Sequence, residues 1–301
     1  MIATIRSNLS SFSCASAVEK SESLFNSRYV TNEIRMLHAS SYGCLAGVQL
    51  IPLMTAVGSG DYTVVAGVPP TTKFFNSMAQ IFPSSAIVDA KTQSLQKMQD
   101  VLQSMIVPGT VLSDFDSNII NLYNTGSLLY RDRTDDANTL LMFSSMALFG
   151  TLLSRYGDPD PSSYDQRKKI LDTWSNETAI ANDVTKNACS FASSVLNMYD
   201  GVSVVSTVSS GALGTALLAM QAALDTIISA GMQKCRNGQV GIGDGDDDPT
   251  NDRYGETRCN NAKSRLRYRN ACHETDRDPQ PVRTFVHGMM IAIDGTWAGV
   301  P

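Results

Sequence analysis

The sequence predicts a mainly α-helical protein: a multi-helix bundle around a buried central helix at about residues 204–232, with a few short strands and a long polar C-terminal arm. Three stretches carry that prediction. Val204–Met232 holds a single charge, Asp225, and is otherwise small or apolar almost all the way round. As a helix it has no wet face and must lie inside something. Thr134–Arg155 is a second charge-poor helix, apolar on most faces, and so the expected packing partner of the first. Arg236–Arg283 is rich in Gly, Asp, Asn and Arg and lacks periodicity, which reads as a surface arm or loop. The expected division is a helical domain over 1–235 and an arm over 236–301, packed on the same domain.

Taken in order, residues 1–12 read as extended or irregular. Ala17, Leu24, Arg28, Ile34 and Leu37 then suit a helix over Ser13–Ala39. Tyr42–Val57 is apolar, but short for a membrane span and interrupted by Pro52. Val64 and Val65, between glycine and proline punctuation, predict a short strand, and a helix follows at Thr72–Phe82. Ser84–Val107 is a clearer helix. Ser84 or Ser85 can cap it, Val88, Leu95, Met98, Leu102 and Met105 recur at helical spacing, and Pro108-Gly109 ends it. A short helix is expected within Thr110–Tyr130. Thr134, Asp135 and Asp136 place an N-cap and negative charge at the start of the next helix. Beyond the break at Gly157–Ser163, Tyr164–Trp174 and Thr178–Tyr199 read as amphipathic helices leading to the central one. There Ala212, Ala216, Ala219 and Ala223 form a small-residue face that predicts close contact. Thr284–Ile293 alternates loosely and reads as a strand.

With 301 residues and 43% hydrophobic content, the chain can bury a real core. Charged residues make up only 18%, which disfavours a bare monomer surface and leans towards one covered by partners. A net charge of −5 argues against a surface built to neutralise phosphates. No secretory signal is visible at the start. Cys14, Cys44 and Cys189 lie in apolar or helical surroundings and read as buried free thiols. Cys235, Cys259 and Cys272 lie in the polar segment and can include one disulfide.

The strongest local signal for chemistry is acidic. Asp244, Asp246 and Asp248 alternate, with Asp252 four further on, and alternate carboxylates around a turn can converge on Ca²⁺. The pattern departs from an EF-hand, because Asp247 stands where a glycine is expected and Glu256 comes one residue late. A solvated acidic loop is the plainer reading, and no other cofactor is expected. Arg265, Arg267 and Arg269 also alternate, so an extended backbone would line them on one side, facing an acidic neighbour or a partner subunit. His38, His273 and His287 have no zinc-site spacing, and no nucleophile elbow or phosphate-binding loop is present.

Ile5, Ser7, Asn8, Leu9, Ser10, Ser11 and Phe12 resemble the N-terminal motif of flagellin. The likeness covers only this opening. The following RYVTNEIRMLHASSYG lacks the family's Arg-Leu-Ser-Ser-Gly stretch, and HGMMIAIDGTWAGVP does not look like its closing helix.

These features favour a structural, non-enzymatic subunit of a large assembly: a virus capsid or capsid-stabilising protein, or a filament subunit. Its partners would be other protein subunits, and its setting a virion or extracellular assembly. The alternatives are a secreted or cell-surface calcium-binding module and an enzyme with an unrecognised site. A bilayer span is disfavoured by Gln221 and Asp225 inside the longest apolar helix and by a mean hydropathy of −0.10.

Overall fold

The computed structural model describes residues 1–27, 30–48, 88–105, 133–156, 189–206, 211–238, 258–260, 262–263, 266–267 and 280–293. These residues are mostly helical, with no strand among them. The helices are α1 (Ile2–Ser10), α2 (Cys14–Phe25), α3 (Asn32–Leu45), α4 (Val88–Gln103), α5 (Asp135–Tyr156), α6 (Cys189–Val205), α7 (Gly211–Asn237) and α8 (Gln280–Ile293). The helical class therefore holds. The strand expected at Val64 and Val65 and the helices expected at Thr72–Phe82 and Tyr164–Trp174 lie outside the described residues.

Several boundaries differ from expectation, each for a local reason. The first residues form a helix, anchored by Ile5, which is fully buried. The stretch read as one helix over Ser13–Ala39 is two. α2 ends at Phe25, and Thr31 starts α3 by accepting a hydrogen bond from Ile34 N at 3.3 Å. Thr134 opens α5 as expected, accepting from Ala137 N at 3.3 Å, with Asp135 and Asp136 in the first turn. The C-terminal strand is the helix α8. Val282, Phe285, Val286 and Met289 are all buried, and that three-and-four spacing is helical.

The helix expected at the centre is the largest correction. It is two helices: α6 runs to Val205, and α7 begins at Gly211, whose φ of 68° is one that glycine tolerates. Nor is α7 buried all round. Leu217, Met220, Leu224, Ile227 and Ile228 face the core, while Thr215, Leu218, Ala222, Asp225, Thr226, Ser229 and Gln233 are exposed. Of the small-residue face, Ala216 and Ala223 are buried and Ala219 is half-buried. The helices enclosed on every side are α5, buried from Leu141 to Leu152, and α6, buried from Cys189 to Met198. They pack on one another, with Phe149 and Phe191 at a ring-centroid distance of 4.9 Å. α7 packs chiefly on α8 and α6.

Glycines set two of these approaches. A Cβ on Gly201 of α6 would collide with Met142 Cβ of α5 and lie 2.8 Å from Asn138 O. A Cβ on Gly288 of α8 would collide with Ala230 O of α7 and lie 2.6 Å from Lys234 Cβ. Gly231 stands opposite, its Cα 2.8 Å from that same hypothetical atom. The α7–α8 seam is backbone against backbone.

Polar side chains inside the core are met by polar side chains of α4. Gln96 Nε2 donates to Ser190 Oγ of α6 at 2.7 Å, and Gln99 Nε2 donates to Ser145 Oγ of α5 at 2.8 Å. Gln103 Nε2 donates to the Arg267 carbonyl at 2.6 Å. Beside this row run Leu95, Met98 and Leu102, so α4 presents an apolar and a glutamine stripe to the same neighbours.

The N-terminal helices form a smaller packed unit on α4. His38 of α3 is buried between Phe25, stacked at 4.5 Å, and Tyr42, edge-on at 5.0 Å. Its Nδ1 shares a hydrogen bond with Ser21 Oγ at 2.9 Å. Burial holds His38 below its ordinary 6.5, against an opposing pull from Glu22 and with a smaller push the same way from Lys97.

Two outcomes are expected. Gly288→Ala should force α7 and α8 apart and destabilise the protein by about 1–3 kcal/mol in denaturant unfolding. The neutral His38 ring stabilises the fold above the unfolded histidine value of 6.5, because the unfolded chain takes up the proton first as pH falls. The melting temperature should therefore drop between about pH 7.5 and about pH 5.5, and by visibly less in His38→Gln.

Candidate functional site

An apolar cleft of about 300 Å³ opens between the N-terminal helices and α4–α5. It is lined by Leu9 and Phe12 at the end of α1, Ser40, Gly43, Cys44, Gly47 and Val48 along and after α3, Met98 of α4, and Leu140 and Phe143 of α5. None of these side chains is charged. The lining offers van der Waals contact and burial to an occupant and no acid, base or metal ligand set.

Two helix ends make its rim, and they are built alike. After α3, Val48 N donates to Gly43 O and Gly47 N donates to Cys44 O, both at 2.9 Å. After α1, Ser13 N donates to Asn8 O at 2.8 Å and Phe12 N donates to Leu9 O at 3.2 Å. Both are Schellman ends, in which the residue just past the C-cap takes a left-handed conformation that glycine adopts without strain. At α3 that residue is Gly47, with φ 73°. At α1 it is Phe12, with φ 54° and 71% of its surface exposed. A bulky residue there costs about 1–2 kcal/mol relative to a relaxed backbone. Phe12 thus carries backbone strain and an exposed ring at once. Leu45, 47% exposed, lies on the same helix end as Gly47.

Cysteines brace the site. Cys14 of α2 and Cys44 of α3 form a disulfide with Cα atoms 5.4 Å apart, and Cys235 and Cys259 form another at 5.8 Å. Cys189 is disulfide-bonded as well, and no described cysteine is a free thiol. The expectation of buried free thiols at Cys14, Cys44 and Cys189 is therefore corrected. A helical setting hides a disulfide from sequence inspection, because each cysteine also satisfies the apolar pattern of its helix. The bridges close loops of 30 and 24 residues, worth roughly 3–4 kcal/mol each in the chain-entropy account.

Of the arginine row, Arg267 is placed and is not a surface contact. Its Nε donates to Asp200 Oδ2 at 2.9 Å and its Nη2 to Asp200 Oδ1 at 3.2 Å. Asp200 is buried and also accepts from Arg133 Nη2 at 3.3 Å; the fully buried Arg133 in turn donates from Nε to Asn138 Oδ1 at 3.0 Å. The Arg267 carbonyl accepts from Gln103 and from Asn197 Nδ2, the latter at 2.9 Å. The described residues leading up to it, 258–260, 262–263 and 266, are helical rather than extended, and Cys259, Ala262 and Leu266 are buried in the main core. Lys263, beside them, is held below its ordinary value by burial and then by the Arg267 guanidinium. This part of the polar arm is an internal strut. Arg265 and Arg269 lie outside the described residues, as do Asp244, Asp246, Asp248 and Asp252, so the calcium reading stays an expectation. Among the described residues no cluster of metal-ligating side chains occurs.

Ser21 and His38 make a hydroxyl–imidazole pair, but Ser21 is fully buried and also donates to Val18 O at 3.0 Å, so it faces no substrate. Sequence reasoning missed Phe12 as an exposed ring on a left-handed helix end. Its signal is an exposed aromatic between Leu9-Ser10-Ser11 and Ser13, where a helix end calls for glycine.

Asp200→Asn should remove the carboxylate that Arg133 and Arg267 share and cost about 3–5 kcal/mol in urea unfolding, the range for breaking a buried pair from one side. Comparison of the chain with family models, with curated proteins and with solved structures returns no match.

Proposed function

We propose that the chain is a structural, non-enzymatic subunit of a larger assembly, joined to neighbouring copies through the N-terminal cleft. The observation that carries this reading is Phe12. In a lone molecule glycine at this position would relieve the backbone and remove an exposed ring, as Gly47 does at the matching helix end. A ring kept there against both penalties is accounted for when it enters a neighbour. Protruding ring and apolar cleft sit on one patch, which makes the patch self-complementary, the condition for a two-fold contact between identical subunits. The uncharged lining fits a chain in which charged residues are only 18%.

The disulfides favour an oxidising setting, such as an extracellular or virion-surface assembly, since cytosolic thiols are kept reduced. The same bridges also support the second reading, a secreted or cell-surface module. Gly214–Asn237 of α7 is long and apolar enough to cross a membrane. We read it as a packed helix, because half of that apolar stretch is covered by the protein and its outward face carries Asp225, Thr226, Ser229 and Gln233. On α6, Tyr199 hydrogen-bonds Asp225 and is pushed above its ordinary value, first by burial and then by that carboxylate.

Phe12→Gly separates strain from contact. Light scattering on size-exclusion fractions of the full chain should show self-association that rises with concentration and weakens at least about tenfold in Phe12→Gly, in line with losing an aromatic anchor. The variant's melting temperature, measured at low concentration, should be equal or higher. A wild-type chain that stays monomeric at high concentration, or a variant that associates as well, overturns the reading.

A further inference from the structure

We propose that the Cys14–Cys44 disulfide is a thiol–disulfide exchange site, reduced by a dithiol that enters through the apolar cleft, whereas Cys235–Cys259 is inert. The inference concerns the subunit whose cleft is not filled by a neighbouring copy, and its test reads thiol labelling rather than association. Both Cys14 and Cys44 are partly exposed, and Cys44 is one of the cleft-lining residues. Cys235 and Cys259 are fully buried, so an attacking thiolate cannot reach them without opening the core.

The geometry also gives the reaction a direction. Cys14 is the first residue of α2, whose first turn has no side-chain cap and no acidic residue. The unpaired N–H groups of that turn stabilise a thiolate on Cys14, which makes it the better leaving group. The incoming thiolate therefore bonds to Cys44 Sγ from the cleft. The S–S bond breaks with its electron pair on Cys14 Sγ, which then takes a proton from water. Once protonated, the Cys14 S–H can donate to the Phe12 carbonyl oxygen, 3.4 Å away, which favours the reduced thiol rather than the departing thiolate. The second thiol of the dithiol displaces Cys44 as a thiolate, which is protonated in turn. Two electrons have passed from the dithiol, now an internal disulfide, to the bridge.

Reduction releases a covalent tie between α2 and α3 at the rim. Among the described residues, what then ties α1 and α2 to the rest includes the burial of Ile5 and Ala17, Phe25 and Ser21 on His38, and an exposed Arg6–Glu33 ion pair at 2.7 Å. The core around α5, α6, α7 and α8 keeps its own bridge and packing. The exchange site is therefore also a local release point.

The test is a dithiothreitol titration of the intact full chain, quenched with N-ethylmaleimide and read by peptide mass spectrometry, with far-ultraviolet circular dichroism in parallel. Cys14 and Cys44 should be alkylated together at a reductant-to-oxidant ratio at least about tenfold below that needed for Cys235 and Cys259, with the helical signal retained. Labelling of all four in one step, or of Cys14 and Cys44 only after helix loss, overturns the proposal. A monothiol, glutathione, should trap a mixed disulfide on Cys44 with Cys14 free; the adduct on Cys14 instead would overturn the assigned direction. In a Cys14→Ser, Cys44→Ser double variant, amide exchange should quicken in α1 and α2 and stay slow in α5 and α6. Unchanged protection of α1 and α2 would refute the release.

Discussion

One buried carboxylate holds the architecture in register. Asp200 lies inside the protein between Arg133 and Arg267, each 67 residues away along the chain, one before and one after. A charge at that depth is tolerable only when paired and hydrogen-bonded, so α6, the approach to α5 and the late helical stretch around Arg267 must arrive together. Gln103 and Asn197, by holding the Arg267 carbonyl, add α4 to the same junction. Cys235–Cys259 then pins the stretch from its other side to α7. Within the region that reads as a polar appendage, the described residues between Cys259 and Arg267 are thus fastened into the core.

Around that junction, two kinds of packing divide the labour. α5 and α6 are enclosed over their buried stretches and hydroxyls there are satisfied within the protein: Ser194 Oγ donates to Ser190 O at 2.7 Å and Thr151 Oγ1 to Ala147 O at the same distance. α7 and α8 meet instead through glycine, with little room for side chains at the crossing. The N-terminal helices join this body through α4, by way of Met98, Val101 and Leu102. The cleft sits along that join, with the buried Met98 and Phe143 among the residues that line it.

The sequence conveyed helical class well, because Leu95, Met98 and Leu102 or Thr134-Asp135-Asp136 are local signals that need no tertiary context. It misplaced the centre. The small and hydroxylated residues of α7 looked apolar on every side, yet Thr215, Thr226 and Ser229 face solvent while the serines of α6 are inside. Side-chain polarity alone does not separate these cases, since a serine that bonds its own helix backbone is at home in either. Gln96, Gln99 and Gln103, spaced three and four apart beside an apolar stripe, were the readable sign that α4 has polar partners. Arg267 was legible as a contact residue but not its direction, because an alternating row implies one face only if the backbone is extended. The cleft was out of reach, since it depends on two helix ends meeting in space.

The paired helix ends have a meaning for how this chain can diverge. At position 47 the fold and the residue agree, and any change is opposed by backbone conformation alone. At position 12 the fold favours glycine and the chain carries phenylalanine. In lineages where nothing meets that ring, drift to glycine would go unopposed and even be rewarded with stability. If the proposed contact holds, the residue found there in a diverged copy records whether that surface still meets a neighbour.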